Sequence, residues 1–315
     1  MGNRSTASDP EVAKSLVVLL LLAFVLCVAA RPLLGHRVTD ETGRSVNVPD
    51  HPQRVISLAP SITEIVFALG VGDRLVGDTE YCDYPPEAKR KPHVGAVLNP
   101  SLEQIVALKP DLVLGIAEAN RRETAEQLER LRIPLYGLTA HTMDDMFRSI
   151  GDLGSLLGRE AEARTLIAGL QGRTQAVAER VKDRPRPKVL FVVWYQPLVT
   201  TGPHTFISDV IQRAGGDSIT DDLREEWPRL SLEEALHRDP DIILFPRSES
   251  FAPSLGEFRK LPGWRDFRAV KNNRLSFIPD TIVRPCPRLV DALEEVARVL
   301  HPEAAATGPA TSAER

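Results

Sequence analysis

Seven histidines (His36, His51, His93, His141, His204, His237 and His301) and three cysteines (Cys27, Cys82 and Cys286) are the side chains best suited to hold a metal or act as nucleophile or base. Their spacing does neither job. The histidines are scattered with no metal-ligand pattern, and HExxH and CxxC do not occur. GxSxG, a P-loop and a GxGxxG after a strand do not occur either. The sequence therefore assigns no catalytic residue, no metal site and no catalytic cofactor. Its chemistry is that of non-covalent recognition.

Aromatic residues make up only 5% of the chain, so their placement carries information. Tyr81 and Tyr84 sit in a YCDYPP loop after one strand-like stretch. Trp194 and Tyr195 fall just past another, Phe206 in the loop that follows, and Trp227 immediately before Pro228. Ligands of open α/β sheets bind beyond the carboxyl ends of the strands, where aromatic side chains offer a flat ligand large, rigid contact area. Tyr81, Trp194, Tyr195 and Trp227 are read as a group on that ground. Arg284, in the segment DTIVRPCPR, has several N–H donors for oxygen atoms of a ligand, although a lone loop arginine is more often a surface charge. Glu103 and Glu233 occupy first turns of predicted helices, one residue off the apolar face. The helix dipole alone favours them there. Their matched placement also suits a pair of acidic knobs for a basic partner.

The elements that position these residues come in two similar sets. SLEQIVALKPDLVL from Ser101 is echoed by SLEEALHRDPDIIL from Ser231, with six of fourteen positions identical. In each, Ser caps a helix with Gln104 or Glu234 completing a capping box, and Leu102, Ile105, Val106 or Leu232, Ala235, Leu236 set the apolar stripe. Pro-Asp then ends the helix and opens a buried strand. A repeat at this spacing is too long for a solenoid unit and indicates two lobes. Upstream, the stretch from Arg37 to Pro52 reads as a hairpin turning at Glu41-Thr42-Gly43. RVISLAPSITEIVFALG from Arg54 reads as strand, turn and helix, with Ser61 and Glu64 as a further capping box. Met143–Lys182 has helical apolar spacing and predicts a long connecting helix, broken near Gly169–Gly172. Lys188–Val193 and Leu275–Ile278 read as strands and Leu289–Leu300 as the closing helix. The fold class is α/β: two Rossmann-like lobes with parallel sheets joined by a single long helix, with a cleft between them. The boundaries are 31–142 for the first lobe, 143–185 for the connector, 186–302 for the second lobe, and 303–315 for a disordered tail.

The 315 residues carry a formal net charge of −4, which gives no footprint for nucleic acid. Leu16–Ala30 is an unbroken apolar run behind Arg4 and Lys14, shorter than a membrane span needs. Residues 1–30 read as a secretory signal cleaved after Val28-Ala29-Ala30, or as an uncleaved anchor. Either reading places the protein outside the cytoplasm. Leu26 before Cys27 is not the small residue of a lipoprotein signal. An oxidising compartment permits a Cys82–Cys286 disulfide. Two cysteines this far apart are expected to remain separate thiols.

These segments, RVISLAPSITEIVFALG, YCDYPP, SLEQIVALKPDLVL, WPRLSLEEAL and DTIVRPCPRLVDAL, resemble the periplasmic substrate-binding proteins of vitamin B12 and siderophore transporters, over roughly Arg37 to Pro302. The likeness is to the cobalamin-binding branch in particular. It implies ligand contacts at Tyr81, at Trp227 and along Asp280, Thr281, Ile282, Val283 and Arg284, and transporter docking through Glu103 and Glu233. It further implies a monomer that carries cobalamin or another corrinoid as transported ligand to an ABC permease with its ATPase in the inner membrane. Val97, Ile116 and Ile282 stand where that branch has aromatics, so the cleft is less aromatic. A ferric siderophore or haem, with Arg284 and Arg288 as donors, is the alternative ligand. A metal-cofactor assembly protein or enzyme on a related two-lobe fold is the alternative of another class.

Overall fold

The computed structural model describes residues 35–117, 119–247 and 255–305. The segment read as signal or anchor lies outside them, and so does most of the predicted tail. Among the described residues no helix is long and apolar enough to cross a membrane.

Strands β1 (Gly35–Thr39) and β2 (Ser45–Pro49) form the expected antiparallel hairpin. Asp40 makes its turn: the carboxylate accepts from the Thr42 and Arg44 amides and from the Arg44 guanidinium. A first α/β unit follows, with β3 (Val55–Ser57), α1 (Pro60–Ala68), β4 (Leu75–Gly77), α2 (Leu102–Ala107), β5 (Leu112–Ile116), α3 (Arg122–Arg130) and β6 (Leu135–Leu138). Its four strands are all parallel, in the order β4-β3-β5-β6. The order reverses direction between β3 and β5, the switch point at which such sheets open a crevice.

Helix α4 (Met143–Leu156) and helix α5 (Glu160–Val181) then lead to the second unit. The predicted break at Gly169–Gly172 is corrected. The helix there is continuous: both glycines lie on its open face, and a helix-interior glycine costs about 1 kcal/mol against alanine without removing a backbone hydrogen bond. The interruption comes at Gly158, whose left-handed backbone (φ +65°) ends α4 as glycine commonly does. At 22 residues, α5 is about 33 Å long. Arg173 ties it to the helix Leu289–Leu300, donating to both oxygens of Glu294 and to Asp291.

The second unit comprises β7 (Lys188–Tyr195), β8 (Leu198–Thr200), α6 (Phe206–Arg213), β9 (Asp217–Ser218), α7 (Leu232–Arg238), β10 (Ile242–Pro246), α8 (Leu255–Phe258), α9 (Arg268–Lys271), β11 (Leu275–Ile278), α10 (Leu289–Leu300) and the short α11 (Pro302–Ala305). Its sheet runs β11-β10-β7-β8, with β9 beside the start of β7; only β8 is antiparallel to its neighbour. Because α11 includes residues 303–305, these residues of the predicted tail are helical.

The internal repeat is structural. Ser101 and Ser231 cap α2 and α7 by accepting from the Gln104 and Glu234 amides. The Glu234 carboxylate turns to Arg238 rather than back to the cap. In each unit the Pro-Asp aspartate pins the start of the neighbouring strand. Asp111 accepts from the Arg54 amide ahead of β3, and Asp241 accepts from the Lys188 amide of β7. The Ser61–Glu64 capping box is a misreading. Pro60, with its fixed φ, takes the first turn and starts the helix from Ala59, so Ser61 lies inside the helix and is buried. One apolar core runs from Ile62 and Leu114 through Leu153 and Leu170 to Val210 and Leu293, joining both sheets through the connecting helices.

Candidate functional site

A cavity of about 470 Å³ lies between the carboxyl ends of the two sheets. From the first sheet, Ala59, Pro60 and Ser61 after β3, Ile116 at the end of β5 and Ala119 just beyond it flank the switch point. Tyr81 follows β4, and Ala140 and His141 follow β6. From the second sheet come Val193 of β7, the turn His204–Ile207 that begins α6, Glu226 and Trp227, and Val283 to Pro285 after β11. Apolar walls with a few convergent polar groups are what a small-molecule site requires.

The residues singled out in the sequence divide. Tyr81 and Trp227 line the cavity from opposite sheets and are 55% and 43% exposed, so their rings are open to a ligand. Val283 and Arg284 line it as well. Trp194 and Tyr195 are absent from its walls. Strand β7 continues through both residues instead of ending at Val193, so Val193 takes the inward place. Tyr195 packs edge-on against Phe258 at 5.9 Å, and the Trp194 indole donates to the Gln196 carbonyl at 2.9 Å. Of the remaining loop residues, Ile282 is fully buried in the core and Thr281 nearly so, while Asp280 sits 3.6 Å from Arg284. Phe206, expected in a loop, opens α6 and lines the cavity. Glu103 and Glu233 are exposed in the first turns of α2 and α7, at matching places in the two units.

Sequence reasoning missed His141, His204 and Glu226 in the cavity wall. His141 Nδ1 lies 3.6 Å from Glu226 Oε1, linking the two sides of the cleft. It also missed the ion pairs that join the two units beside the cavity. Arg284 pairs with Asp83, two residues after Tyr81, and its guanidinium holds the Asp83 carboxyl below the usual range. Arg288 makes a bidentate pair with buried Glu64 of α1 and stacks on Tyr84, 3.8 Å from the ring centre. The Glu64 carboxylate in turn raises the pKa of Arg288 above its ordinary value. The signal for these pairs was absent because their partners lie more than 200 residues apart.

Cys82 and Cys286 are both buried free thiols, in line with the reading that kept them separate. Cys82 lies 3.2 Å from the Thr63 and Thr79 hydroxyls. Burial, and then the neighbouring Glu64, pushes the Cys286 thiol well up. Behind the Tyr81 loop, buried Asp78 sits 2.8 Å from His93, and burial raises its carboxyl to about 6 despite that partner.

Comparison with known proteins places this geometry among relatives. A family model described as periplasmic binding protein matches residues 55–281. A vitamin B12-binding protein of Pectobacterium carotovorum is 33% identical over 252 residues, covering 79% of this chain and 88% of that protein. The solved periplasmic vitamin B12-binding protein of Vibrio cholerae superposes with a TM-score of 0.71 at 27% identity, over 81% of this chain and 98% of that one. A periplasmic haem-binding protein from Roseiflexus sp. RS-1 in apo form gives 0.72 at 27% identity, over 80% and 99%.

Proposed function

The chain belongs to the periplasmic binding protein family, and on that premise we propose that it is the extracytoplasmic solute-binding component of an ABC importer that captures a corrinoid, cobalamin or a near relative, between its two lobes. The observation that carries this reading is the largely apolar cavity faced by Tyr81 from the first lobe and Trp227 from the second. A flat, bulky ligand entering there meets an open aromatic ring on each side. The 33% identity to a vitamin B12-binding protein supports the choice of ligand. In this reading the lobes are 31–142 and 186–302, residues 1–30 direct export or anchor the protein, and the protein works as a monomer that hands on its cargo without converting it to another compound.

Haem is the second reading, favoured by a likeness to a haem-binding protein at the same 27% identity as to the solved B12-binding one. The described lining does not supply the basic surface that would favour it over a corrinoid: Arg284 is the sole Lys or Arg among the described lining residues, and it is already engaged by Asp83, Asp280 and Glu64. Delivery would run through Glu103 and Glu233, one exposed on each lobe, against basic patches of a permease. A thermal-shift comparison of cyanocobalamin, haemin and ferric siderophores tests the ranking, because a ligand that binds only the folded state raises its stability by mass action. The corrinoid should give the largest shift. A larger shift with haemin or a siderophore would replace it as ligand.

A further inference from the structure

Five described residues other than glycine have a left-handed backbone: Lys109, Arg132, His204, Asp239 and Asn273. Four of them end helices. Lys109, Arg132 and Asn273 directly follow the C-caps of α2, α3 and α9, and Asp239 is itself the C-cap of α7. Helix termination accounts for that conformation. His204 ends nothing. It precedes Thr205, the N-cap of α6, with φ +62°, and it stands in the cavity wall.

The turn is fixed on both sides of His204. The Gly202 amide donates to the Glu226 carbonyl at 2.7 Å, and a Cβ on Gly202 would meet the Glu225 carbonyl at 1.9 Å. Thr205 closes the turn from the other side, donating to the Gly202 carbonyl at 3.0 Å and accepting from the Ser208 amide. A side chain held in a disfavoured conformation by over-determined neighbours points to a role for that side chain. The His204 ring is exposed and, among the described residues, has no hydrogen bond or ion pair of its own. An imidazole presented this way to an otherwise mostly apolar cavity is a nitrogen donor awaiting an acceptor or a metal.

We propose that His204 is a metal-coordinating contact for the cargo, supplying imidazole nitrogen to the cobalt of a corrinoid whose upper axial position holds exchangeable water. The inference rests on the corrinoid reading above. The step is a ligand exchange: the Co–O bond to water breaks, a Co–N bond to the neutral ring forms, water leaves, and cobalt keeps its oxidation state. It would make the site favour corrinoids with an open axial position over those already capped by a strong ligand.

The test is an absorbance titration of the full-length protein with aquocobalamin and, in parallel, cyanocobalamin, whose cyanide blocks the position. Aquocobalamin should show displaced corrin bands on binding and cyanocobalamin none, with aquocobalamin bound at least tenfold tighter. His204→Gly accepts the left-handed backbone, so it should fold, melt near the parent and lose both the band displacement and the preference. His237→Ala, exposed on α7 and outside the cavity, should retain them. Binding of both corrinoids with no band displacement in the parent overturns the coordination and leaves the corrinoid reading standing. The same is true if the displacement persists in His204→Gly or disappears in His237→Ala. Failure of both corrinoids to bind the folded parent overturns the corrinoid reading itself and His204 coordination with it.

Discussion

Arg288 holds Glu64 through two hydrogen bonds, 2.7 Å from Nε and 2.6 Å from Nη2, across 224 residues of chain. Glu64 is 3% exposed, so its charge has little water to fall back on. Deleting one partner of a buried pair costs about 3–5 kcal/mol, and here Arg284, 3.5 Å from Glu64, remains as a weaker partner that sets the loss toward the lower end. Arg288→Ala should lower stability by that order in denaturant melts. Glu64→Gln combined with Arg288→Met should recover much of it, because both charges of the pair are then gone and Arg284 keeps its Asp83 partner. A double variant as unstable as Arg288→Ala would show that the pair acts through more than its charges.

Asp78 gives a pH signature. Burial raises its carboxyl from 3.8 to about 6, so the folded state holds a proton there that the unfolded state has released. Stability must therefore fall as pH rises from about 4 to about 6 and stay reduced above that, by on the order of 1–3 kcal/mol. Asp78→Asn should flatten this part of the profile and melt above the parent at pH 7. The check is the thermal midpoint of both proteins between pH 4 and pH 8.

The aromatics are predicted to separate by where they point. Tyr81→Ala and Trp227→Ala should each weaken ligand binding by about 1–3 kcal/mol, the range in which binding hot spots begin. Trp194→Ala should leave affinity nearly unchanged, since that ring is bonded to its own turn outside the cavity. Titration of the three variants decides it, and equal losses at all three would remove the cavity as the binding place.

These sortings mark where the sequence stopped being informative. The repeat around Ser101 and Ser231, the closing helix Leu289–Leu300 and the strand at Leu275–Ile278 were legible because caps, apolar spacing and Pro-Asp punctuation are local signals. Glu64 was read as half of a capping box because its real partner, Arg288, is distant in the chain and only the fold brings it near. Trp194 and Tyr195 were placed in the site because a strand's last residues are not marked in sequence, and two residues more of β7 moved them off the cavity wall. His141, His204 and Glu226 carried no spacing signal at all. They meet only where loops from both sheets converge.

Docking is expected to be separable from capture. Glu103→Ala with Glu233→Ala should leave ligand affinity within about twofold, because neither residue lines the cavity. Ligand-stimulated uptake through the permease should fall, most at low salt, where exposed charges act over the longest range. Uptake unchanged at every ionic strength would return both glutamates to their helix dipoles.

The central claim is that the cavity between Tyr81 and Trp227 takes a corrinoid, and calorimetric titration with cyanocobalamin tests it most directly. The account predicts a single saturable site at one ligand per chain, with Kd of about 1 μM or tighter, a binding free energy of roughly −8 kcal/mol or better. Folded protein that shows no saturable heat up to about 1 mM would contradict it.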